Sequence, residues 1–468
     1  MFVPEFPKNE ITYYDADIDF IRTIVNDTWN LDRSHVTDDY DESIRRLARH
    51  IDFQTEEYPS GKDYGMWTIP KKWTVKKAVL KDSTGKVLAD YHRHPLELWC
   101  YSDSFQGTVT KKELADHIWT NPNRPDDVSW FPRLQYRHWE KNWGLCLPHK
   151  MWQALAEGTY EVDIQTEFSE STMKTIDYFA PGKTDRMVIL SGHWDHPWQC
   201  NDGLAGCVVA LDVIRRLRRH KNLKFNYHAL LTVEFIGSTA WLHTDEKRAS
   251  RVDQGLFIAM MGNKNHLSLQ RSFAANSELE RIIHLFLKFN GQSFREGPCN
   301  GIVSNDEKSF DSSGFKIPMA SLSRFPFPEY HTDKDTPDRL VDGNMIEGSD
   351  IVYEAILALE NNFYPKALFK GLPCLSKPQY NLYFPPTTLS SVSIDDQVQK
   401  AAYPFGGLPD SCKTDLHYFM NTVVHYLDGK SSVLDIAEIF ELPFYFVWNY
   451  FKAWEEKELI SALQNSSE

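Results

Sequence analysis

Between residues 187 and 323 short apolar runs alternate with helical ones. RMVILSG is followed by GLAGCVVALDVIRRLRRH, and YHALLTVEF by the small-residue turn and helix IGSTAWLHT. GLFIAMMG is then followed by SELERIIHLFLKF and IPMASLS. Parallel strands can be joined only by crossovers, and helical crossovers cover the sheet faces, so this alternation predicts a layered α/β domain with a mostly parallel sheet flanked by helices. In such open sheets ligands bind beyond the carboxyl ends of the strands. Chemistry is therefore expected where each apolar run stops.

The flanking sequence has other rhythms. Residues 16–50 carry helical periodicity, with Ile44, Leu47 and Ile51 recurring at three- and four-residue spacing in DESIRRLARHI. From about residue 58, aromatic and β-branched residues alternate with polar ones, and DSTGK supplies a hairpin turn. The β-like runs continue through TYEVDIQTEF and MKTIDYFA. The expected organisation is a catalytic domain over 176–395 with N-terminal helices in 1–57 and a β-rich insertion over 58–175. After a Pro-rich stretch at 365–388, three short helices over 408–468 suggest a winged-helix-like module.

Charge and cysteine usage narrow the function classes. A net charge of −14 argues against nucleic acid as partner, since phosphate binding needs a basic footprint. Residues 413–468 hold four lysines and no arginine against nine acids, and the last helix, PFYFVWNYFKAWEEKE, is aromatic where a recognition helix would be basic. The tail therefore reads as a packing or dimerisation element, with a homo-oligomer expected through it or through the insertion. RRLRRHKNLK, residues 215–224, is the one basic cluster, and cations at a helix C-terminus are favourable there. Seven scattered cysteines without a CxxC pair read as free thiols in a reducing compartment. MFVPEFPKNEITYYDADIDF has acids where a signal peptide needs a basic start, and no apolar run has the length of a membrane span. A cytoplasmic protein is expected.

The strand ends are rich in ligand types. His193, Asp195, His196 and Asp202 follow RMVILSG, Glu234 ends the next strand, and SRFPFPEYHTDKDT after IPMASLS carries His331, Asp333 and Asp335. A His/Asp/His set with an open fourth position suits zinc, and a neighbouring carboxylate can act as general base. Each residue alone has a plainer reading: Asp202 as a helix cap, either histidine as a hydrogen-bonded turn residue, Glu234 as a solvated strand end. Their recurrence at successive strand ends favours a site.

The run G-H-W-D…N-D-G-L-A-G…E-F-I-G-S…Y-H-T-D-K-D-T resembles the zinc aminopeptidase superfamily that also contains the glutaminyl cyclases. HPLELWCYSDSFQGTVTKKEL, WGLCL, YEVDI, SNDEKSF and EYHTDKDT are similar to a narrower group, bacterial aminopeptidase-like proteins with an inserted β domain and a C-terminal winged helix. The resemblance implies His193, Asp202 and His331 as metal ligands, Asp195 as the carboxylate orienting the first histidine, and Glu234 as general base. His196 is implied as an extra ligand or a substrate contact. Two-metal members carry a second Glu directly after the base and an Asp at the end of the next strand; Phe235 and Met260–Met261 stand there, so one zinc is expected.

The implied reaction is hydrolysis of an amide or peptide bond in a small substrate with a free amino end. Asp306, Glu307 and Glu329 are candidates to hold the substrate ammonium, and Arg271 and Arg324 a carboxylate. One alternative keeps the fold and zinc for amide tailoring or carrier-segment removal in a biosynthetic pathway. Another is a catalytically silent scaffold, against which Glu234 and Asp195 argue.

Overall fold

The computed structural model describes residues 12–384, 412 and 415–464. The first eleven residues, the end of the Pro-rich stretch and the expected boundaries at 395 and 408 lie outside the described residues. Two compact units emerge, one of residues 16–274 and 295–350, the other of 275–294 and 351 onward with the residues before 16.

The first unit is built on an eight-stranded sheet. Its strands in chain order are β1 (Gln54–Pro59), β2 (Thr172–Ala180), β3 (Met187–His193), β4 (Asn226–Thr232), β5 (Val252–Ala259), β6 (Ser268–Gln270), β7 (Arg295–Gly297) and β8 (Met319–Ser323). In space they run β7-β6-β8-β5-β3-β4-β2-β1. β4, β3, β5 and β8 are mutually parallel, whereas β2 and β1 extend one edge antiparallel and β6 joins β8 antiparallel. The sheet is thus parallel at its centre and mixed at its edges. β3 is buried along its whole length, as expected of a strand covered on both faces.

The helix α3 (Leu204–Leu217) lies against β3, β4 and β5. A Cβ on its Gly206 would stand 2.0 Å from the Ile258 carbonyl oxygen, so only glycine lets helix and strand approach this closely. Its last-turn arginines are structural: Arg216 is buried and pairs with Asp350 at 2.9 Å, and Arg215 pairs with Asp17 at 3.0 Å. The helices α1 (Ile18–Thr28) and α2 (Asp38–Leu47) begin on the side-chain caps Asp17 and Thr37.

β1 and β2 bracket the β-rich insertion. Of the run MKTIDYFA that closes the β-like stretch, residues 173–177 pair with β1 and residues 176–180 with β4, all in the central sheet. The insertion's own sheet is antiparallel, with Lys72–Asp82 and Thr159–Ser169 at its centre flanked by Val87–Asp90 and Phe105–Thr110. At the DSTGK turn, the Asp82 carboxylate accepts from the backbone of Thr84 and Lys86 while Gly85 takes φ +83°. Trp73, Leu80, Trp99, Tyr101 and Ile164 form this module's core.

The second unit contains α5 (Glu278–Phe289) and three tail helices, α6 (Leu416–Val423), α7 (Val433–Ile439) and α8 (Phe444–Glu456). A two-stranded ribbon pairs Tyr364–Ala367 with Ile460–Leu463. The tail's aromatic row of Phe444, Phe446, Trp448, Tyr450, Phe451 and Trp454 is buried. Its polar ends find partners in the same unit, Trp448 Nε1 on the Asn361 carbonyl and the Tyr450 hydroxyl on that of Leu382. Arg281 of α5 binds Asp435 at 2.6 Å and also Glu438. The chain covers this row itself, which removes the reason for expecting a second copy to do so. Among the described residues, no helix is long and apolar enough to cross a membrane.

Candidate metal centre

β3 ends on His193, and the loop after it returns Asp195, His196 and Asp202 to the same point before α3 begins. Gly203 makes this turn with φ +82°, and a Cβ there would lie 2.7 Å from the His193 carbonyl oxygen and 2.8 Å from its Nδ1. Arg33, buried, pins the loop by donating to the Trp194 and Gln199 carbonyls at 2.9 and 2.8 Å. Asp335 accepts from the backbone of Asn201 and Asp202 at 2.8 and 2.9 Å, which fixes where the Asp202 carboxylate points. Burial pushes the Asp335 carboxyl up to about 7.

The Asp202 carboxylate is the hub. One oxygen lies 3.4 Å from His193 Nε2; the other lies 2.9 Å from His331 Nε2 and 3.7 Å from His196 Nε2. His196, Asp202 and His331 therefore offer three ligand atoms around one point, as do His193, Asp195 and His196 around another. Asp202 Oδ2 and His331 Nε2 are buried and unpartnered by any aligned hydrogen bond despite their proximity. Buried polar atoms rarely stay unpaired. A His/Asp/His donor set with such orphaned atoms fits zinc, with a fourth position open.

Asp195 sits beneath, 3.4 Å from His196 Nδ1, 3.7 Å from His193 Nδ1 and 3.5 Å from His35 Nε2. Burial alone would raise its pKa; the imidazoles of His196, His35 and His193 outweigh that and hold it at about 2. Conversely burial would lower His193, but Asp202, Glu234 and Asp195 raise it to about 10. This concentration of buried carboxylates asks for a cation.

Glu234 follows β4. Its backbone N–H donates to Asp195 at 3.1 Å. The Tyr136 hydroxyl donates to its Oε2, and the Asn305 amide, oriented to satisfy both its ends, donates to Oε1 at 2.7 Å. Burial pushes the Glu234 carboxyl up to about 8. Phe235 next to it adopts φ +59°, held by its N–H on Asp306 at 2.9 Å. His196, Trp198, Met260 and His331 also have positive φ, a density of unfavourable backbone typical of functional loops.

The predicted residues divide clearly. The structure brings together His193, Asp195, His196, Asp202, Glu234 and His331. Asp306 joins their margin, buried, accepting also from Ser238, with burial raising it to about 6. Glu307 is committed to the Gln270 amide and the Asn305 N–H, at 3.1 and 2.9 Å. Arg324 is buried against Glu347 and the Asn265 carbonyl, so it is no free cation for a substrate carboxylate. Arg271 is paired with Glu296 at 3.1 Å across neighbouring edge strands, and Glu329 is half-buried in the loop before His331, its carbonyl accepting from Thr332.

Sequence reasoning missed His35, Trp130 and Tyr136. The Trp130 ring lies 4.4 Å from His196 and 4.7 Å from His331, and the Trp130 backbone N–H donates to the His331 carbonyl. His35 stands edge-on to Tyr136 at 4.9 Å. None lies at a strand end of the central sheet. Trp130 and Tyr136 lie in the aromatic-rich stretch SWFPRLQYRHW, whereas nothing local marks His35.

A family described as a domain of unknown function, DUF4910, matches residues 22–362. The chain belongs to that family. A Clostridium acetobutylicum protein named for polysaccharide biosynthesis and an aminopeptidase-like domain is 26% identical over 394 residues, covering 84% of each chain. A crystal structure from the same organism, described as a peptidase, superposes with a TM-score of 0.79 at 23% identity, covering 95% of this chain and 96% of that one. A zinc aminopeptidase from Bacillus subtilis gives a TM-score of 0.56 at 14% identity, over 74% of this chain and 96% of its own. This DUF4910 member therefore has the aminopeptidase fold.

Proposed function

We propose that the chain is a mononuclear zinc hydrolase that cleaves an amide or peptide bond in a small substrate with a free amino end. The observation that carries this reading is the meeting of orphaned Asp202 and His331 ligand atoms with a buried, doubly hydrogen-bonded Glu234. His196, Asp202 and His331 would hold the ion, with His193 on the other oxygen of Asp202. When bound, zinc supplies Lewis-acid polarisation of a carbonyl and acidifies water.

The chain's own residues do the rest. Glu234 accepts the proton of the attacking water and returns it to the departing nitrogen, as base and then acid. Tyr136 and Asn305 hold the plane of its carboxyl group. Asp195 fixes the ring orientations of His193 and His196 and stabilises them when they are charged. A bound cation would draw the Glu234 pKa down toward the range where it ionises at neutral pH. Asp306, buried at the edge of this cluster, is the strongest of the proposed ammonium contacts.

Metal analysis should find about one zinc per chain, by analogy with three-ligand catalytic sites, and a screen of amino-acid anilides and dipeptides should reveal turnover. Two stoichiometric ions would overturn the mononuclear reading, and zinc without turnover of any amino-terminal amide would overturn the reaction. Amide tailoring in polysaccharide assembly is a second reading, favoured by the name of the Clostridium acetobutylicum relative.

A further inference from the structure

Phe235 turns away from the metal ligands toward a second space. Beside α4 (Ile236–Thr244) opens a groove of about 480 Å³, walled by Met66, Trp67, Phe235, Leu242 and Phe315 and edged by Lys308. That volume suits a small ligand. The hairpin carrying Met66 and Trp67 is seated on α4 so tightly that a Cβ on Gly65 would stand 2.4 Å from His243 Nε2. Its tip leaves Met66 99% exposed, a large apolar side chain that none of the described residues covers. Trp67 and Phe235 present nearly parallel rings, 17° apart with centroids at 6.4 Å. Lys308 Nζ lies 5.0 Å over the Phe235 ring, and no carboxylate among the described residues pairs with it.

The groove's position relates it to the proposed reaction. The Phe235 ring meets the edge of Tyr136 at 5.9 Å, and the Tyr136 hydroxyl holds Glu234. A general base that hands its proton to the departing nitrogen must lie within hydrogen-bond reach of that nitrogen. In the proposed reaction the group on that nitrogen would leave on the Glu234 side, toward Phe235, with the acyl carbon by His196, Asp202 and His331.

We infer that this groove receives the amine half of the substrate, a carboxylate-bearing component with a flat apolar face, its body on Trp67 and Phe235 and its carboxylate on Lys308. The inference rests on the amide-hydrolase reading for its orientation. An aromatic amino acid at the carboxyl side of a dipeptide supplies this chemistry, and so does an amino-sugar acid whose C–H face stacks on the rings. Both bring an anion to the unpaired ammonium.

Direct binding to the full chain tests this without requiring turnover. Calorimetry with L-phenylalanine against L-phenylalaninol, and with glucosaminuronic acid against glucosamine, compares each acid with its counterpart lacking the carboxylate. At least one acid should bind about tenfold more tightly, a difference of ~1.4 kcal/mol. The ratio should fall toward one in Lys308→Met and return in Lys308→Arg, and Trp67→Ala should weaken the preferred acid. Preference in one arm alone assigns the source. No preference for either acid, or a preference that survives Lys308→Met, overturns the inference. Acid-selective binding by a chain that hydrolyses no amide would instead count against the hydrolase reading and leave the groove's ligand standing.

Discussion

Glu234 separates the two jobs a carboxylate can do beside a metal, because a ligand and a base fail differently. Glu234→Gln should leave zinc content intact and lower turnover by roughly 10²–10⁴-fold, the usual range for general acid–base catalysis. Loss of zinc in that variant would make Glu234 a ligand. His196→Ala should show the opposite pattern, with zinc lost during dialysis at a buffered free-zinc concentration; full retention would move the ion to His193. Tyr136→Phe removes one hydrogen bond to a carboxylate, about 1.5–3 kcal/mol, so turnover should fall by roughly 10–100-fold with zinc retained. At this scale the sequence was readable where the candidate site sits on the sheet. His193, Asp202, Glu234 and His331 all follow apolar strands, and strand ends in parallel sheets converge. Tyr136 was not readable, because its contact with Glu234 spans 98 residues and joins a loop of the insertion to a strand end. No periodicity encodes such a pairing. Arg324 misled for the same reason: its partner Glu347 is on a later helix, and nothing local reveals that its charge is already used.

Among the elements, the parallel centre of the sheet was the easiest part to anticipate, since β3, β4, β5 and β8 are short apolar-rich runs buried almost throughout. The edges were harder. β2 alternates as β-module strands do, because an antiparallel strand near a sheet edge is half-buried wherever it pairs. The insertion is tied to the site by short backbone links: Trp130 N–H on the His331 carbonyl, Asp333 N–H on the Val128 carbonyl, and the Asp333 carboxylate on the Val128 N–H at 3.0 Å. Asp333→Ala should remove the last of these and, by loosening the segment behind His331, weaken zinc affinity more than it lowers the melting temperature; an unchanged zinc affinity would make this link purely structural. The tail helix α8 makes a different kind of contribution. Trp454 is fully buried, so Trp454→Ala should destabilise its unit by about 3–5 kcal/mol through lost burial and a residual cavity. Chemical denaturation followed by tryptophan fluorescence measures this, and a change below 1 kcal/mol, the usual scale of a surface substitution, would show that the row is not closely packed.

For the molecule as a whole, two buried histidines should make stability fall in acid. Burial lowers His35 to about 3 and His94 to about 4, against an ordinary value near 6.5. A lowered histidine pKa means the unfolded chain binds protons first, so the contribution of these two groups to stability is complete above about 6.5 and declines as the pH falls toward 4. His94 has a specific reason to stay neutral, since its Nδ1 accepts from the Leu96 N–H at 3.2 Å to start a helical turn. His94→Asn keeps an acceptor without a titrating group. Its denaturation midpoint should vary less between pH 7 and 5 than that of the parent chain; an identical slope would place the acid sensitivity elsewhere. The links from the insertion to the His331 loop also bear on how the chain is made. His35, Tyr136, His196, Glu234 and His331 come together from positions almost three hundred residues apart. A ribosome must therefore release most of the first unit before the ligand set can close, while the strands through β5 are already free to pair. Capture of the proposed zinc would then be a late event, and a chain stalled before residue 331 would carry all eight strands of the sheet without the His331 ligand.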